Sequence, residues 1–282
     1  MYGVAKIASP AETISALSYE CHVGGKGLNQ SVALAYAGAE VYHAGAIGAE
    51  GVWLKDFMQQ CGVNSDYVTT LDSASGHAII QVDSQGQNSI IVFGGANRQI
   101  TPQYTDSVLA HFDEGDMLLL QNEISCVEHL IVSAHKKGLQ VVFNPSPFTE
   151  DILKLPLEYV DWFLVNEIEG KLLAGETDDE IHAEQTISAI TARYPNAKVV
   201  LTLGGNGAAY FDGAHFAHQK AEKATVVDTT AAGDTFTGYF LASIAKGLKT
   251  SEAVSIAQKA SAISISRKGA AESIPKAHEL GL

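Results

Sequence analysis

Basic residues are scarce in this sequence: 18 Lys and Arg stand against 32 Asp and Glu, which gives a formal net charge of −14. Such a surplus of negative charge repels polyanions at long range, and this argues against nucleic acid or an anionic membrane surface as a partner. A small anion can still bind where several backbone N–H groups converge. The composition therefore favours a small molecule as the ligand.

Long apolar runs and paired cysteines are also lacking. No stretch reaches the roughly 18 apolar residues of a membrane span, and the first residues show neither the basic start nor the apolar run of a signal peptide. The three cysteines, Cys21, Cys61 and Cys126, lie too far apart in the sequence for a zinc or redox motif. We therefore expect isolated reduced thiols in a cytoplasmic protein.

Proline is sparse as well, with 7 in 282 residues, whereas the 46% hydrophobic and 18% charged residues are typical of a globular chain. Such a composition can bury a sizeable core, and the length is near the upper limit for a single one. We expect one domain over residues 1–282, without internal repeats or an obvious linker.

From residue 104 onward, apolar strand-like runs alternate with segments of helical periodicity, which indicates βαβ units around a parallel sheet. The runs that we interpret as strands buried on both faces are 117–120, 141–144, 162–165 and 199–202. In open α/β sheets the ligand lies beyond the carboxyl ends of the strands. The polar residues and glycines that end these runs should therefore meet at one crevice, and they are Gln121, Asn122, Glu123, Asn144, Asn166, Glu167, Gly204 and Gly205.

Two other runs, 79–83 and 89–93, are typical of an antiparallel hairpin, and the segment 14–23 could add a strand beside it. A small sheet that stands off the main body suits a lid, formed by about 10–23 and 75–95, whereas an ordinary edge hairpin is the alternative. Ile80 and Val82 lie on one face of this hairpin and Ile79 on the other. Because an exposed sheet with two apolar faces favours aggregation, we expect a partner surface to cover it.

The segment 227–240 carries the most informative chemical pattern. Ala231, Ala232 and Gly233 let the chain turn tightly into a helix, whose first N–H groups then form a cradle for phosphoryl charge. Asp234 would lie at the rim of this anion site, where a carboxylate can accept a proton from an attacking hydroxyl. The alternative is that Asp234 merely caps the helix, since Asp is favoured in the first turn.

A second glycine-rich segment, 23–31, enters another helical pattern. Gly25 and Gly27 allow the backbone to approach a ligand closely, and Lys26 and Asn29 add polar groups at the same helix start. The spacing matches neither the Walker A motif nor the dinucleotide-binding fingerprint, so a dinucleotide-dependent reductase is the weaker interpretation. The remaining alternative is a flexible turn with a solvated lysine.

Together these two segments resemble the signatures of the ribokinase-like (PfkB) carbohydrate kinases. Further matching pieces, which extend the resemblance over almost the whole chain, are 120–123, 166–169, 201–207 and 266–275. The resemblance implies a three-layer α/β/α sandwich with a mostly parallel central sheet and a small β-sheet lid. It also implies transfer of phosphate from ATP to the primary hydroxyl of a pentose such as ribose, with Mg²⁺ and an activating K⁺.

The resemblance gives a role to each matching position. Sugar hydroxyls would be bound by Gly25, Lys26, Gly27, Asn29, Glu123 and the base Asp234. Amides that stabilise the transferred group would come from Ala231, Ala232 and Gly233. The nucleotide and its magnesium would be held by Asn166, Glu169, Thr202, Gly204, Gly205, Gly207, Gly233 and Gln258. Potassium would bind, mostly through backbone carbonyls, at Asp228, Thr230, Ser264, Arg267, Gly269 and Ser273.

Several of these positions keep a second interpretation. Glu123 could be an ordinary surface residue, and Arg267 could bind phosphate or be a solvated side chain at a helix end. At position 258 the family has a histidine that touches adenine, so glutamine puts that single contact in doubt. Glu167 is left without a role, because a capped helix accounts for it.

The largest departure from the family lies at the beginning of the sequence. Members usually start with a strand ending in Gly-x-Asn-x-Asp, whose Asn and Asp grip the sugar, and counting back from Gly24 places Met1 just after that Asp. We expect this chain to bind pentoses weakly and to be less stable than a version with the strand. A fructokinase, a nucleoside kinase or a catalytically weak sugar-binding regulatory protein are the alternatives. By resemblance, the lid should also form a homodimer.

Overall fold

The computed structural model describes residues 1–177 and 180–282. Its strands, in chain order, are β1 (Tyr2–Gly3), β2 (Ser18–Tyr19), β3 (Gly45–Ile47), β4 (Val68–Thr70), β5 (His77–Val82), β6 (Asn88–Phe93), β7 (Met117–Gln121), β8 (Gln140–Asn144), β9 (Trp162–Asn166), β10 (Lys198–Thr202), β11 (Ala208–Phe211) and β12 (Phe216–Gln219). Its α-helices are α1 (Lys26–Tyr36), α2 (Trp53–Gln60), α3 (Pro102–Leu109), α4 (Val127–Lys137), α5 (Glu167–Ala174), α6 (Ala183–Arg193), α7 (Ala232–Ala245) and α8 (Thr250–Ser264). Short 3₁₀ turns connect several of them.

The main sheet has the strand order β12-β11-β10-β9-β8-β7. Strands β7 to β10 are parallel to their neighbours, while β11 and β12 add an antiparallel hairpin at one edge. The strands predicted from the apolar runs are therefore confirmed as β7 to β10. Their parallel direction brings their carboxyl ends to one edge of the sheet, where the ligand is expected.

Helices cover both faces of this sheet and form two cores. Val142 on β8 packs into the core that contains α1, α7 and α8, whereas its neighbours Val141 and Phe143 pack into the core that contains α4, α5 and α6. Alternation of side chains along a strand explains this division. The architecture confirms the predicted three-layer sandwich.

The crossing of α1 and α7 positions the candidate site. Residues 234–243 of α7 are buried without interruption, so this helix is a central core element. A Cβ atom built on Gly238 would lie 2.4 Å from the Cβ of Ala33, which shows how closely the two helices approach. Asn29 contacts Asp234 one turn earlier on both helices, and so α1 and α7 run in the same direction with their N-termini side by side.

A separate small sheet has the order β2-β1-β5-β6. Strands β5 and β6 form the predicted antiparallel hairpin, with Ile79 opposite Ile91. The segment 14–23 contributes only β2, which pairs with β1 and not with the hairpin. Strand β1 lies between them, and two residues are too few for their pattern to reveal a strand.

Within the described residues, no helix is both long and apolar enough to cross a membrane. The most apolar helix of the core, α7, spans only 14 residues.

Candidate active site

The start of α1 depends on the glycine-rich segment. Gly25 precedes the helix with φ of 103°, a backbone conformation that residues other than glycine rarely adopt. A Cβ atom at this position would meet no other atom within 4 Å, so the backbone here borders open space. The first turns of α1 then direct Asn29 and Gln30 toward α7.

Asp234 accepts a hydrogen bond on each carboxylate oxygen. The side-chain amide of Asn29 donates to Oδ2 and that of Gln30 donates to Oδ1, both at 2.9 Å. Among the residues that the structure describes, no side chain caps the N-terminus of α7. The carboxylate of Asp234 is therefore bound to the neighbouring helix, and the alternative of a simple capping role does not describe its contacts.

Polar strand ends extend this network. The side-chain amide of Gln30 also donates to Oδ1 of Asn144 at 3.1 Å, and that of Gln121 donates to Oε1 of Gln30 at 2.6 Å. The predicted meeting of strand-end side chains thus includes Gln121 and Asn144. Gln30 was not predicted, although its place directly after Asn29, at the same helix start, was a signal that could have identified it.

Burial raises the pKa of Asp234 above the ordinary value of an aspartate, while hydrogen bonds from Asn29 and Gln30 and the charge of Lys26 act in the opposite direction. A raised pKa makes a carboxylate a stronger base. Because a base is most effective when its pKa approaches the working pH, this environment suits proton abstraction.

Asn29 has one acceptor that is still available. Its Oδ1 atom is buried and has no hydrogen-bond partner among the described residues. Buried polar atoms normally have a partner, and an unpaired one is costly. A ligand hydroxyl that donates to Oδ1 would satisfy this atom.

A cleft of about 2420 Å³ separates the small sheet from the body and is lined by Gly25, Gly27, Asn29 and Glu123, among others. Burial raises the pKa of Glu123, the positive charges of Lys26 and Arg98 lower it, and the negative charge of Asp234 raises it further. Lys26, Arg98 and Asp234 thus lie close enough to the Glu123 carboxylate for their charges to act on it. The structure therefore brings together the residues that were predicted to contact a sugar.

The N-terminus of α7 lies next to this cleft, since Asp234 in its first turn is hydrogen-bonded to Asn29 and Thr230 lines the cleft. Ala231 adopts a left-handed conformation with φ of 59°, and helix α7 begins at the next residue. A Cβ atom at Gly233 would meet no atom within 4 Å. The backbone at Gly233 thus borders open space next to Asp234, as an anion cradle requires, while the N–H of Ala232 donates to the carbonyl of Thr229 at 3.2 Å.

The predicted nucleotide residues follow β9 and β10. Asn166 and Glu169 form a capping box at the start of α5, in which each side chain accepts a hydrogen bond from the other's backbone N–H. Thr202 ends β10, and its hydroxyl donates a long bond of 3.4 Å to the carbonyl of Val165. Gly204 has φ of 51°, and a Cβ atom at Gly204 would meet no atom within 4 Å.

Gly205 is equally open, but Gly207 and Gln258 are not. A Cβ atom at Gly207 would lie 2.0 Å from the carbonyl oxygen of Gln219, and the side-chain amide of Gln258 donates to that same oxygen at 3.1 Å. Both predicted residues thus pack on the backbone of β12. These contacts give Gly207 and Gln258 a role in the packing of β12, in addition to their predicted role in nucleotide binding.

Within the predicted cation site, hydrogen bonds join Asp228 to Thr230 and Gly269, and a separate hydrogen bond joins Ser264 to Ser273. Asp228 accepts bonds from the N–H and hydroxyl of Thr230 and from the N–H of Gly269. Burial acts to raise the pKa of Asp228, but these hydrogen bonds lower it, and lowering prevails. The hydroxyls of Ser264 and Ser273 lie 2.9 Å apart.

Arg267 forms an ion pair with Glu279. Two interpretations of the Arg267 side chain followed from the sequence, phosphate binding and solvation. Neither of them includes Glu279 as a partner. In the described part of the chain, no group of three or more His, Cys, Asp or Glu could hold a metal ion. A cation at 228–273 would therefore depend on hydroxyl and carbonyl oxygens together with the single carboxylate of Asp228, all of which suit a hard ion.

The fold and the paired helix starts beside Asp234 agree with the carbohydrate kinase class that the family comparison shows. The pfkB family carbohydrate kinase profile matches residues 3–277, and the chain belongs to this family, as predicted.

Its relatives include ribokinases. The chain is 34% identical to the ribokinase of Haemophilus influenzae, over 96% of this chain and 90% of that protein. Among solved structures, it is similar to the ribokinase of Cryptococcus neoformans in complex with ADP, with a TM-score of 0.86, 31% identity and coverage of 99% of this chain and 94% of the other. It is also similar to the Arabidopsis thaliana ribokinase complexed with ribose and ATP, with a TM-score of 0.83, 30% identity and coverage of 98% and 91%.

Proposed function

We propose that this protein transfers the terminal phosphate of ATP to the primary hydroxyl of D-ribose, and that it does so in the cytoplasm, where ATP is supplied. The observation that carries the proposal is the buried carboxylate of Asp234, held by two amides beside the open N-terminus of α7. Relatives named ribokinase, one of which was solved with ribose and ATP, support the choice of sugar.

In this proposal Asp234 accepts the proton of the sugar hydroxyl as its oxygen attacks the terminal phosphorus, and the bond to the ADP oxygen breaks. Asn29 and Gln30 keep the carboxylate oriented while one lone pair on each oxygen remains available. Backbone N–H groups at 231–233 would stabilise the charge on the transferred group. Glu123, Gly25, Lys26, Gly27 and the unpaired Oδ1 of Asn29 would bind sugar hydroxyls.

We assign magnesium to the neighbourhood of Glu169 and Asn166, and potassium to the oxygen atoms around Asp228 and Ser264. Glu169 uses Oε2 for the capping box, which leaves Oε1 for a magnesium-bound water. Magnesium, when bound with ATP, would neutralise charge on the phosphates. Thr202, Gly204, Gly205, Gly207, Gly233 and Gln258 complete the proposed nucleotide site.

An ATP-coupled screen of pentoses, hexoses and nucleosides, with and without potassium, tests the proposal. We expect ribose to give the highest kcat/KM and potassium to raise the rate. Preference for a hexose or nucleoside would reject ribose as the substrate but keep the enzyme class. Binding of a sugar without turnover of any would instead favour a sugar-binding regulatory protein.

Replacement of Glu169 by glutamine is expected to raise the magnesium concentration needed for half-maximal rate at fixed ATP, with the KM for sugar unchanged. Glutamine can still form the capping box, so the change removes charge while helix α5 keeps its start. Glu167→Gln is a matched control, since it removes a half-buried carboxylate from the same turn, outside the capping box. An unchanged magnesium curve with a raised sugar KM would contradict the assignment.

We further propose that the small sheet covers the sugar with one face and pairs with a second copy through the other. Ile90 and Ile91 are adjacent on β6 and point to opposite faces, yet they are 53% and 60% exposed. A sheet with exposed apolar side chains on both faces favours aggregation unless other surfaces cover both faces. Light scattering at micromolar concentration should therefore give the mass of a dimer, and a monomer would reject the pairing but not the lid.

A further inference from the structure

Arg98 stands where the small sheet joins the body. It lies in the 3₁₀ turn Gly95–Gln99, directly after β6. Its stem packs on the chain end of that strand, because a Cβ atom at Gly94 would lie 2.6 Å from Cγ of Arg98. Its guanidinium donates to the carbonyl of Ile124 at 3.3 Å. One side chain thus spans from the end of β6 to the residue that follows Glu123.

Backbone contacts hold the same two segments together. The N–H of Ser125 donates to the carbonyl of Asn97 at 3.1 Å, and its hydroxyl donates to the carbonyl of Ile100 at 2.8 Å. The loop after β7 is therefore fixed to the turn that carries Arg98. This connection keeps the turn that carries Arg98 beside the loop that carries Glu123.

The charges around Glu123 come from three elements. Lys26 lies at the start of α1, Asp234 lies in the first turn of α7, and Arg98 lies in the turn after β6. Arg98 also lines the cleft with Glu123. A carboxylate that is partly buried beside another carboxylate needs nearby positive charge to stay ionised, and Lys26 supplies the larger and Arg98 the smaller part of it.

We propose that Arg98 is a positioning residue that keeps Glu123 ionised and fixed for sugar binding and links it to the base of the small sheet. The inference rests on the proposed sugar-kinase function. It assigns Arg98 no contact with the transferred phosphate, so its effect should appear in sugar affinity and not in the chemical step.

The test compares Arg98→Gln with Arg98→Lys. In protein labelled with ¹³C at glutamate carboxyls, with the Glu123 signal assigned through Glu123→Gln, the pKa of Glu123 should be higher in Arg98→Gln than in wild type and close to wild type in Arg98→Lys. Since sugar binding needs the ionised carboxylate, the acid side of the kcat/KM profile should shift to higher pH in Arg98→Gln. Its KM for sugar should rise about 2- to 5-fold, as for one exposed charge pair, with kcat unchanged.

An unchanged pKa of Glu123 in Arg98→Gln would overturn the inference. So would a raised pKa with an unchanged KM, or an equal loss in both variants, which would indicate a packing role. The NMR titration needs no substrate, so it separates the two proposals. If wild type phosphorylates no sugar, the proposed function fails, whereas a raised Glu123 pKa in Arg98→Gln would still support the effect of Arg98 on Glu123.

Discussion

Asp234→Asn should lower kcat by about 10²- to 10⁴-fold, the usual loss when a general base is removed. The asparagine keeps the size of the side chain but cannot accept the proton of the sugar hydroxyl. ATP affinity should stay near the wild-type value, because Asp234 is assigned to the acceptor and not to the nucleotide. Steady-state kinetics and calorimetric titration with ATP measure the two effects.

The variant should fold, because its surroundings can adapt. The new amide would place an NH₂ group against the amide of Asn29 or Gln30, which are both donors to Asp234. A flip of the Asn29 amide would present its otherwise unpaired Oδ1 to that NH₂ group. An unchanged melting temperature is the control for folding, and activity within a few-fold of wild type would reject Asp234 as the base.

Gly238→Ala should destabilise the protein by about 3 kcal/mol, the upper part of the range for overpacking a core. The added methyl group would lie 2.4 Å from the Cβ of Ala33 and 2.7 Å from the backbone nitrogen of Leu34. Because backbone atoms cannot rotate away, α1 and α7 must move apart. Thermal unfolding should show a melting temperature lower by roughly 6–12 °C.

Gly233→Ala is the matched control for this measurement. It makes the same substitution in the same helix, where the added methyl group would meet no atom within 4 Å. Its melting temperature should equal or exceed that of wild type, since alanine favours a helix over glycine. Equal destabilisation by both changes would show that the helix crossing is not the cause.

The fold could be predicted largely because the central strands are short, apolar and separated by helical segments. The runs that became β9 and β10 are buried on both faces, and a sheet covered by helices accommodates them, whereas the run 117–120 became the half-buried edge strand β7. Strands β1 and β3 could not be predicted in this way. They have two and three residues, and such lengths show neither alternation nor an apolar run.

The candidate site was predictable in its residue types but not in its contacts. Asp234 stands in a segment whose composition indicates anion binding, and Gly25 in one whose glycines allow the backbone to approach a ligand, so local chemistry identified them. The pairing of Asn29 and Gln30 with Asp234 depends on how two helices cross, and this follows from core packing over long sequence separations. For the same reason Arg98 was not expected near Glu123, because only the turn after β6 brings it there.

The two halves of the Asp234 network lie far apart along the chain, and this affects how the protein is made. Asn29 and Asp234 are separated by 205 positions, so the amides of α1 leave the ribosome long before their carboxylate. Until α7 emerges, Ala33 and the apolar residues around it have no helix to pack against. A nascent chain that ends before α7 would thus expose the α1 side of the central sheet, which makes it a substrate for chaperones until the last part of the domain is synthesised.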